Sequence, residues 1–332
     1  MHASLGRLFE REIREQPAVW QRLAGSDAPT RLARAIDGET IVIGSGSSLF
    51  AAQIGALALR RRGVGAYALA ATEALADHSA YQRRVVVAVS QSGHSIDVLQ
   101  ALDVLHPRRI VALTNTPLSP LSRRADLTID VGAGAERAIP ATKSVTTTIA
   151  ILLSSASLLG GEHRRTMRML VEAARSVQAW LDDDETVAFA AEQLALRRNL
   201  MFLGTDYGGP IARESALKFK EATYMHAEGF EAGEFRHGSM AMIDASSALV
   251  GFMDADAREV VGRPLRDAAA IGTLRYAIGT YGVDGVQRLG AIVGDAYNTL
   301  AWLVTAQLLA LHVARRRGVD SDTPRGLTKV IV

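Results

Sequence analysis

Four lysines occur in these 332 residues, Lys143, Lys218, Lys220 and Lys329, and the other 33 of the 37 lysine-plus-arginine positions are arginine. The chain uses guanidinium wherever an ordinary surface cation will serve. A guanidinium stays protonated, whereas a buried amine can shed its proton and attack a carbonyl, so a lysine kept against this habit points to carbonyl chemistry. Codon usage competes as the explanation for any single lysine, and only the neighbouring residues discriminate. Lys218 lies in Arg213-Glu214-Ser215-Ala216-Leu217-Lys218-Phe219-Lys220-Glu221. Helical spacing puts Glu214, Lys218 and Glu221 on one face, which is either a surface ion-pair ladder or a carboxylate tuned by an adjacent amine. Tyr224-Met225-His226-Ala227-Glu228 and Gly233-Glu234-Phe235-Arg236-His237-Gly238 follow closely, a density of ionisable groups beyond the needs of a plain surface.

Serines carry a second kind of chemistry. The loop Ser90-Gln91-Ser92-Gly93-His94-Ser95 follows a Val-rich run and opens a helical pattern. Hydroxyls and free backbone N–H groups at a helix N-terminus hold phosphate without any arginine. A plain serine N-cap would need one hydroxyl only, and this loop offers three together with a glutamine. The loop Gly44-Ser45-Gly46-Ser47-Ser48 is a weaker signal and is not a dinucleotide fingerprint, because Leu49 stands at the third glycine position.

The elements that must position these groups alternate. Strands are expected over 40–43, 65–69, 84–89, 109–113 and 127–131, with helices over 49–62, 96–105 and near 120–124. The strands lack apolar/polar alternation, which indicates a parallel sheet covered on both faces. Helices dominate 142–196, and the pattern then restarts with strands over 199–203, 248–252, 273–278 and 289–293 and helices over 211–224 and 297–316. Residues 5–24 read as an amphipathic helix interrupted at Pro17. The fold class is therefore α/β, one three-layer αβα domain repeated twice. The expected division is a helical lead-in 1–38, a first domain 39–160, a helical linker 161–196, a second domain 197–318 and a tail 319–332. The halves differ in one respect: the loop Met253-Asp254-Ala255-Asp256 in the second is acidic and would repel an anion.

Composition excludes several classes. At 48% hydrophobic and 22% charged the chain is globular, and its length suffices for two cores. Net charge is +2 and the basic residues are scattered, so nucleic acid is a poor partner. No cysteine is present, which excludes disulfides, thiolate metal sites and a cysteine nucleophile, and fits a cytoplasmic setting. The apolar runs 149–159 and 300–314 are shorter than the roughly 20 residues that span a bilayer.

The chain resembles the tandem sugar-isomerase (SIS) domains that form the isomerase half of glucosamine-6-phosphate synthase. The resemblance rests on Glu15-Gln16-Pro17, the 90–95 loop, Ala135-Glu136 with Thr142-Lys143, the stretch 214–221 with His226-Ala227-Glu228, the segment 233–238, and Pro324-Arg325-Gly326-Leu327-Thr328-Lys329. It implies roles by position. Ser47, Ser48, Ser90, Gln91, Ser92 and Ser95, with Ile139, match substrate-binding positions for phosphate and sugar. Glu221 matches the carboxylate that moves a proton between C1 and C2, and Lys218 the lysine beside it. His237 matches the ring-opening histidine, supplied across a homodimer interface. Lys329 matches the tail lysine that contacts the open-chain sugar and can form a Schiff base with the keto form. Ala141 departs from the family's serine two residues before Lys143, and Ser239 from the proline after His237-Gly238.

No cofactor or metal is implied. The chain begins at the isomerase lead-in and lacks cysteine, so the expectation is a core without a glutaminase domain. It would work as a deaminase that converts glucosamine 6-phosphate to fructose 6-phosphate and ammonia. A fructosamine-6-phosphate deglycase, another aldose–ketose isomerase and a non-catalytic sugar-phosphate sensor remain open alternatives.

Overall fold

A computed structural model describes residues 4–329. The first half runs α1 (Arg7–Ala24), α2 (Ala28–Ala35), β1 (Thr40–Gly44), α3 (Ser47–Arg60), β2 (Ala66–Ala70), α4 (Ala71–Ala76), β3 (Val85–Val89), α5 (Ile96–Leu105), β4 (Arg109–Thr114), α6 (Pro120–Arg124), β5 (Leu127–Asp130) and α7 (Lys143–Leu159). Then follow α8 (His163–Asp182), α9 (Glu185–Ala195), β6 (Asn199–Gly204), α10 (Gly208–Thr223), β7 (His226–Glu231), α11 (Ala232–Phe235), β8 (Ser247–Met253), α12 (Arg258–Asp267), β9 (Leu274–Gly279), β10 (Gln287–Leu289) and α13 (Asn298–Arg316).

Two five-stranded parallel sheets result, ordered β2-β1-β3-β4-β5 and β10-β9-β8-β6-β7. They form two α/β units of matching topology, each sheet flanked by helices, as the doubled pattern predicts. The residues cluster into one compact unit of Ala18–Glu136, Lys143–Val171 and Thr328–Val332, and another of Met1–Pro17, Arg137–Thr142 and Glu172–Leu327. Every residue of β1, β3 and β8 is buried, as predominantly apolar strands covered on both faces must be. In the first unit Ile41, Ile43, Val86 and Ala112 pack against Val98, Leu102 and Leu105 of α5. In the second, Phe202 lies 5.2 Å from Phe219 and 6.1 Å from Phe252, which in turn lies 5.7 Å from Trp302. Truncating one such aromatic would cost about 3–5 kcal/mol.

Three local expectations change. The helix α1 continues through Pro17. Proline has no N–H to give the carbonyl four residues back, which belongs to Ile13, and the Gln16 side-chain amide donates to that oxygen instead at 3.0 Å. The polar run His226–Glu231 is a strand, β7, at the sheet edge, where among the described residues it pairs with β6 alone. The last strand lies at Gln287–Leu289, earlier than the apolar run suggested. Among the described residues no helix is long and apolar enough to cross a membrane.

Candidate active site

In the first sheet β2 lies on one side of β1 and β3 on the other, so the direction in which strands are added reverses between β1 and β3 while the strands stay parallel. A crevice opens at such a switch point, beyond the C-terminal strand ends. The two serine loops of the sequence are the loops that follow these two strands. After β1 the chain turns so tightly that a Cβ on Gly44 would stand 2.7 Å from the Ser48 backbone. Glycine is required there, and the turn puts Ser47 and Ser48 in the first turn of α3, both partly exposed.

After β3 the Ser90 hydroxyl is buried and accepts from the Gly93 N–H at 3.1 Å. Gly93 adopts φ +64°, and a Cβ on it would fall 2.0 Å from Ser119 Oγ. The Gln91 carbonyl accepts from Asn115 N at 3.1 Å and Thr114 Oγ1 at 3.2 Å, which fixes the loop backbone. His94 folds back, its Nδ1 2.7 Å from the Ser92 carbonyl. Ser95 occupies the N-cap of α5, yet its side chain makes no capping bond. A serine kept for capping alone would make one. The loop thus presents hydroxyls and a helix N-terminus without a lysine or arginine.

The same unit contains Lys329. Its Nζ lies 3.0 Å from Glu136 Oε2, and the Glu136 carboxylate also accepts from Ser144 N at 3.0 Å and Ser144 Oγ at 2.7 Å. Lys143 begins α7 and is buried.

The other unit holds the carboxylate ladder. α10 places Lys218 between Glu221 Oε2, in hydrogen-bond contact, and Glu214 Oε1 at 3.6 Å. The side chains of Glu214 and Lys218 are 0% and 1% exposed and that of Glu221 is 19% exposed. The ladder is buried, so the surface ion-pair alternative falls away, and Glu221 is its accessible end. Lys220 points to solvent, as an ordinary surface cation. α10 ends at Tyr224 in the left-handed conformation, φ 58°. The Tyr224 hydroxyl accepts from Arg325 N at 2.7 Å, and the Arg325 guanidinium sits 4.3 Å over its ring. His237 is exposed on the turn after α11, its N–H donating to Glu234 O at 2.9 Å.

Residues 319–329 form no helix or strand but are pinned. Asp322 accepts from Leu8 N at 3.0 Å and Phe9 N at 2.8 Å, capping α1, while its carbonyl accepts from Ile139 N at 3.1 Å. At the end of β7 burial pushes the Glu231 carboxyl above the usual carboxylate range; Thr205 and Arg213 oppose that push and Asp206 and Glu234 add to it. Among the described residues no His/Cys/Asp/Glu group has metal-binding geometry.

The placement of the expected residues follows the two units. Ser47, Ser48, Ser90, Gln91, Ser92, Ser95 and Lys329 belong to the first; Glu221, Lys218, His237 and Ile139 belong to the second. Two features escaped sequence reasoning. Glu136 was visible as a motif residue but had no role until its contact with Lys329. The Tyr224–Arg325 clamp joins residues 101 positions apart and leaves no local signal.

A family model described as SIS domain matches residues 37–158 and 193–261. The chain belongs to the SIS family. An isomerizing glutamine–fructose-6-phosphate aminotransferase of Sulfurisphaera tokodaii is 31% identical over 293 residues, 88% of this chain and 49% of that protein. The chain thus spans about half the length of the curated relatives it matches. The C-terminal domain of a glucosamine-fructose-6-phosphate aminotransferase from Francisella tularensis superposes at TM-score 0.86, 24% identity, over 96% of this chain and 98% of that one. A glucosamine-6-phosphate deaminase of Thermotoga maritima gives 0.81 at 22% identity over 98% and 99%. These two likenesses concern the SIS fold.

Proposed function

We propose that this SIS protein is a phosphosugar isomerase that deaminates glucosamine 6-phosphate to fructose 6-phosphate and ammonia. The observation that carries the reading is the α10 ladder, a buried ammonium between two carboxylates with only Glu221 reaching solvent. An oriented carboxylate of this kind suits transfer of a proton between adjacent sugar carbons. The phosphate binds the 90–95 loop and the N-terminus of α5, with Ser47 and Ser48 beside it. His237, exposed on its turn, opens the sugar ring of a substrate held by a partner copy, which makes a homodimer the active form. Proton transfer by Glu221 converts the open-chain aldehyde to an imine at C2. Water attacks that imine and releases ammonia, and Lys329 holds the resulting ketose. The test is incubation with glucosamine 6-phosphate, following ammonia and fructose 6-phosphate together. Stoichiometric appearance of both is expected, and absence of both across pH 6–9 would sink the reading.

Ala141 favours a second reading, because it removes a hydroxyl where the family carries serine. The site then takes a different phosphorylated ketose or a fructosamine 6-phosphate. A substrate panel separates the two, since a deglycase releases an amino acid and a simple isomerase releases nothing.

A further inference from the structure

We propose that Glu136 is the positioning residue for Lys329 and the group that takes its proton, an inference that rests on the lysine's role in the proposed function. The Glu136 side chain is fully enclosed, whereas that of Lys329 is 24% exposed, so the amine is reachable and its carboxylate partner is not. Oε2 lies 3.0 Å from Nζ and 2.7 Å from Ser144 Oγ, and Oε1 lies 3.0 Å from the Ser144 N–H in the first turn of α7. A hydroxyl, a backbone amide and a helix N-terminus therefore orient a buried anion that also meets the lysine. A buried charge held this way is costly unless it is paired, so the paired arrangement is the resting one. Gln at this position would keep the shape and lose the charge.

The arrangement gives the amine a route into carbonyl chemistry. The ammonium cannot attack until it loses a proton, and Oε2 already accepts the hydrogen bond along which that proton moves. Transfer leaves a neutral amine and a carboxylic acid. The nitrogen lone pair then forms a bond to C2 of the open-chain ketose, the carbonyl electrons move to oxygen, and one nitrogen proton shifts to that oxygen. Glu136 returns its proton to the hydroxyl, water leaves, and an iminium remains opposite the restored carboxylate. One ammonium and one ketone give one iminium and one water, with Glu136 unchanged.

The experiment is borohydride trapping of fructose 6-phosphate on the full-length protein, with the adduct located by peptide mass spectrometry and affinity measured by calorimetry. The wild-type chain is expected to accumulate an adduct on Lys329. Glu136→Gln should slow trapping on the order of 100-fold while affinity changes less than about threefold. Glu136→Asp should recover part of the rate, because it restores the charge. Ser144→Ala, which leaves charge and lysine intact, should change trapping by only about two- to fivefold and gives a readout should Glu136→Gln fail to fold. Wild-type trapping in Glu136→Gln, or a loss that merely follows lost affinity, would overturn the inference. So would equal rates in Glu136→Asp and Glu136→Gln; if the latter does not fold, so would a wild-type rate in Glu136→Asp. A wild-type protein that turns over sugar without any adduct would overturn the lysine's role and the inference with it. A protein that neither binds nor turns over sugar phosphate would overturn the reading of function itself.

Discussion

The two sheets share one topology and carry opposite chemistry at the same place. In each, the first strand feeds its neighbours on both sides, and the crevice lies between β1 and β3 or between β6 and β8. In each, the first strand ends on a glycine whose Cβ would collide with backbone four residues on, Gly44 against Ser48 and Gly204 against Gly208. Backbone sterics hold that turn in both copies. Beyond it the loops diverge. The first crevice is rimmed by serines and glutamine, and the second by Asp206, Asp254 and Asp256. The turn is dictated by hard-sphere contact, whereas the loop side chains are free to differ; in the proposed function one copy holds the phosphate and the other supplies the carboxylate ladder of α10.

If affinity and proton transfer are divided in this way, they should be separable. Glu221→Gln should lower turnover about 10²- to 10⁴-fold while the calorimetric affinity for fructose 6-phosphate stays within a few-fold. Equal losses in both would break the division. Ser92→Asp, which gives the first loop the acidity of the second, should weaken fructose 6-phosphate binding by about 100-fold through like-charge repulsion. Unchanged affinity would remove the phosphate from this loop. Gly93→Ala tests the scaffold: positive φ and the clash with Ser119 should cost about 2–4 kcal/mol in urea unfolding, and a near-neutral result would mean the loop relaxes freely.

The smallest expected effect belongs to Glu231. Its folded carboxyl titrates above the unfolded value because burial disfavours the anion. Its contribution to stability is therefore complete below the unfolded value, near 4.5, and is lost as pH rises through the folded one. Glu231→Gln should raise Tm by about 1–2 °C at pH 7 and give no gain below pH 4.5. A gain of the same size at both pH values would assign the effect to packing instead of charge.

Much of this was legible in the chain. The runs at 40–43 and 84–89 announce strands covered on both faces, and the serine loops lie where these two strands end. β7 was not legible, because His226-Ala227-Glu228-Gly229-Phe230-Glu231 is half polar and holds a glycine. An edge strand needs only one partner's hydrogen bonds, so its side chains carry little pattern. The continuity of α1 was also hidden, since proline ordinarily breaks a helix and its rescue depends on the Gln16 rotamer.

Residue type and spacing alone determined the doubled α/β fold, the serine-rich loop at the end of a buried strand and the one-faced set Glu214, Lys218 and Glu221, because periodicity and turn chemistry are local. Local spacing could not say whether that face was buried, nor which carboxylate meets Lys329. Those depend on what packs over α10 and on a contact between positions 136 and 329. Contacts at that separation follow from how the chain closes on itself, and no window along the sequence contains them.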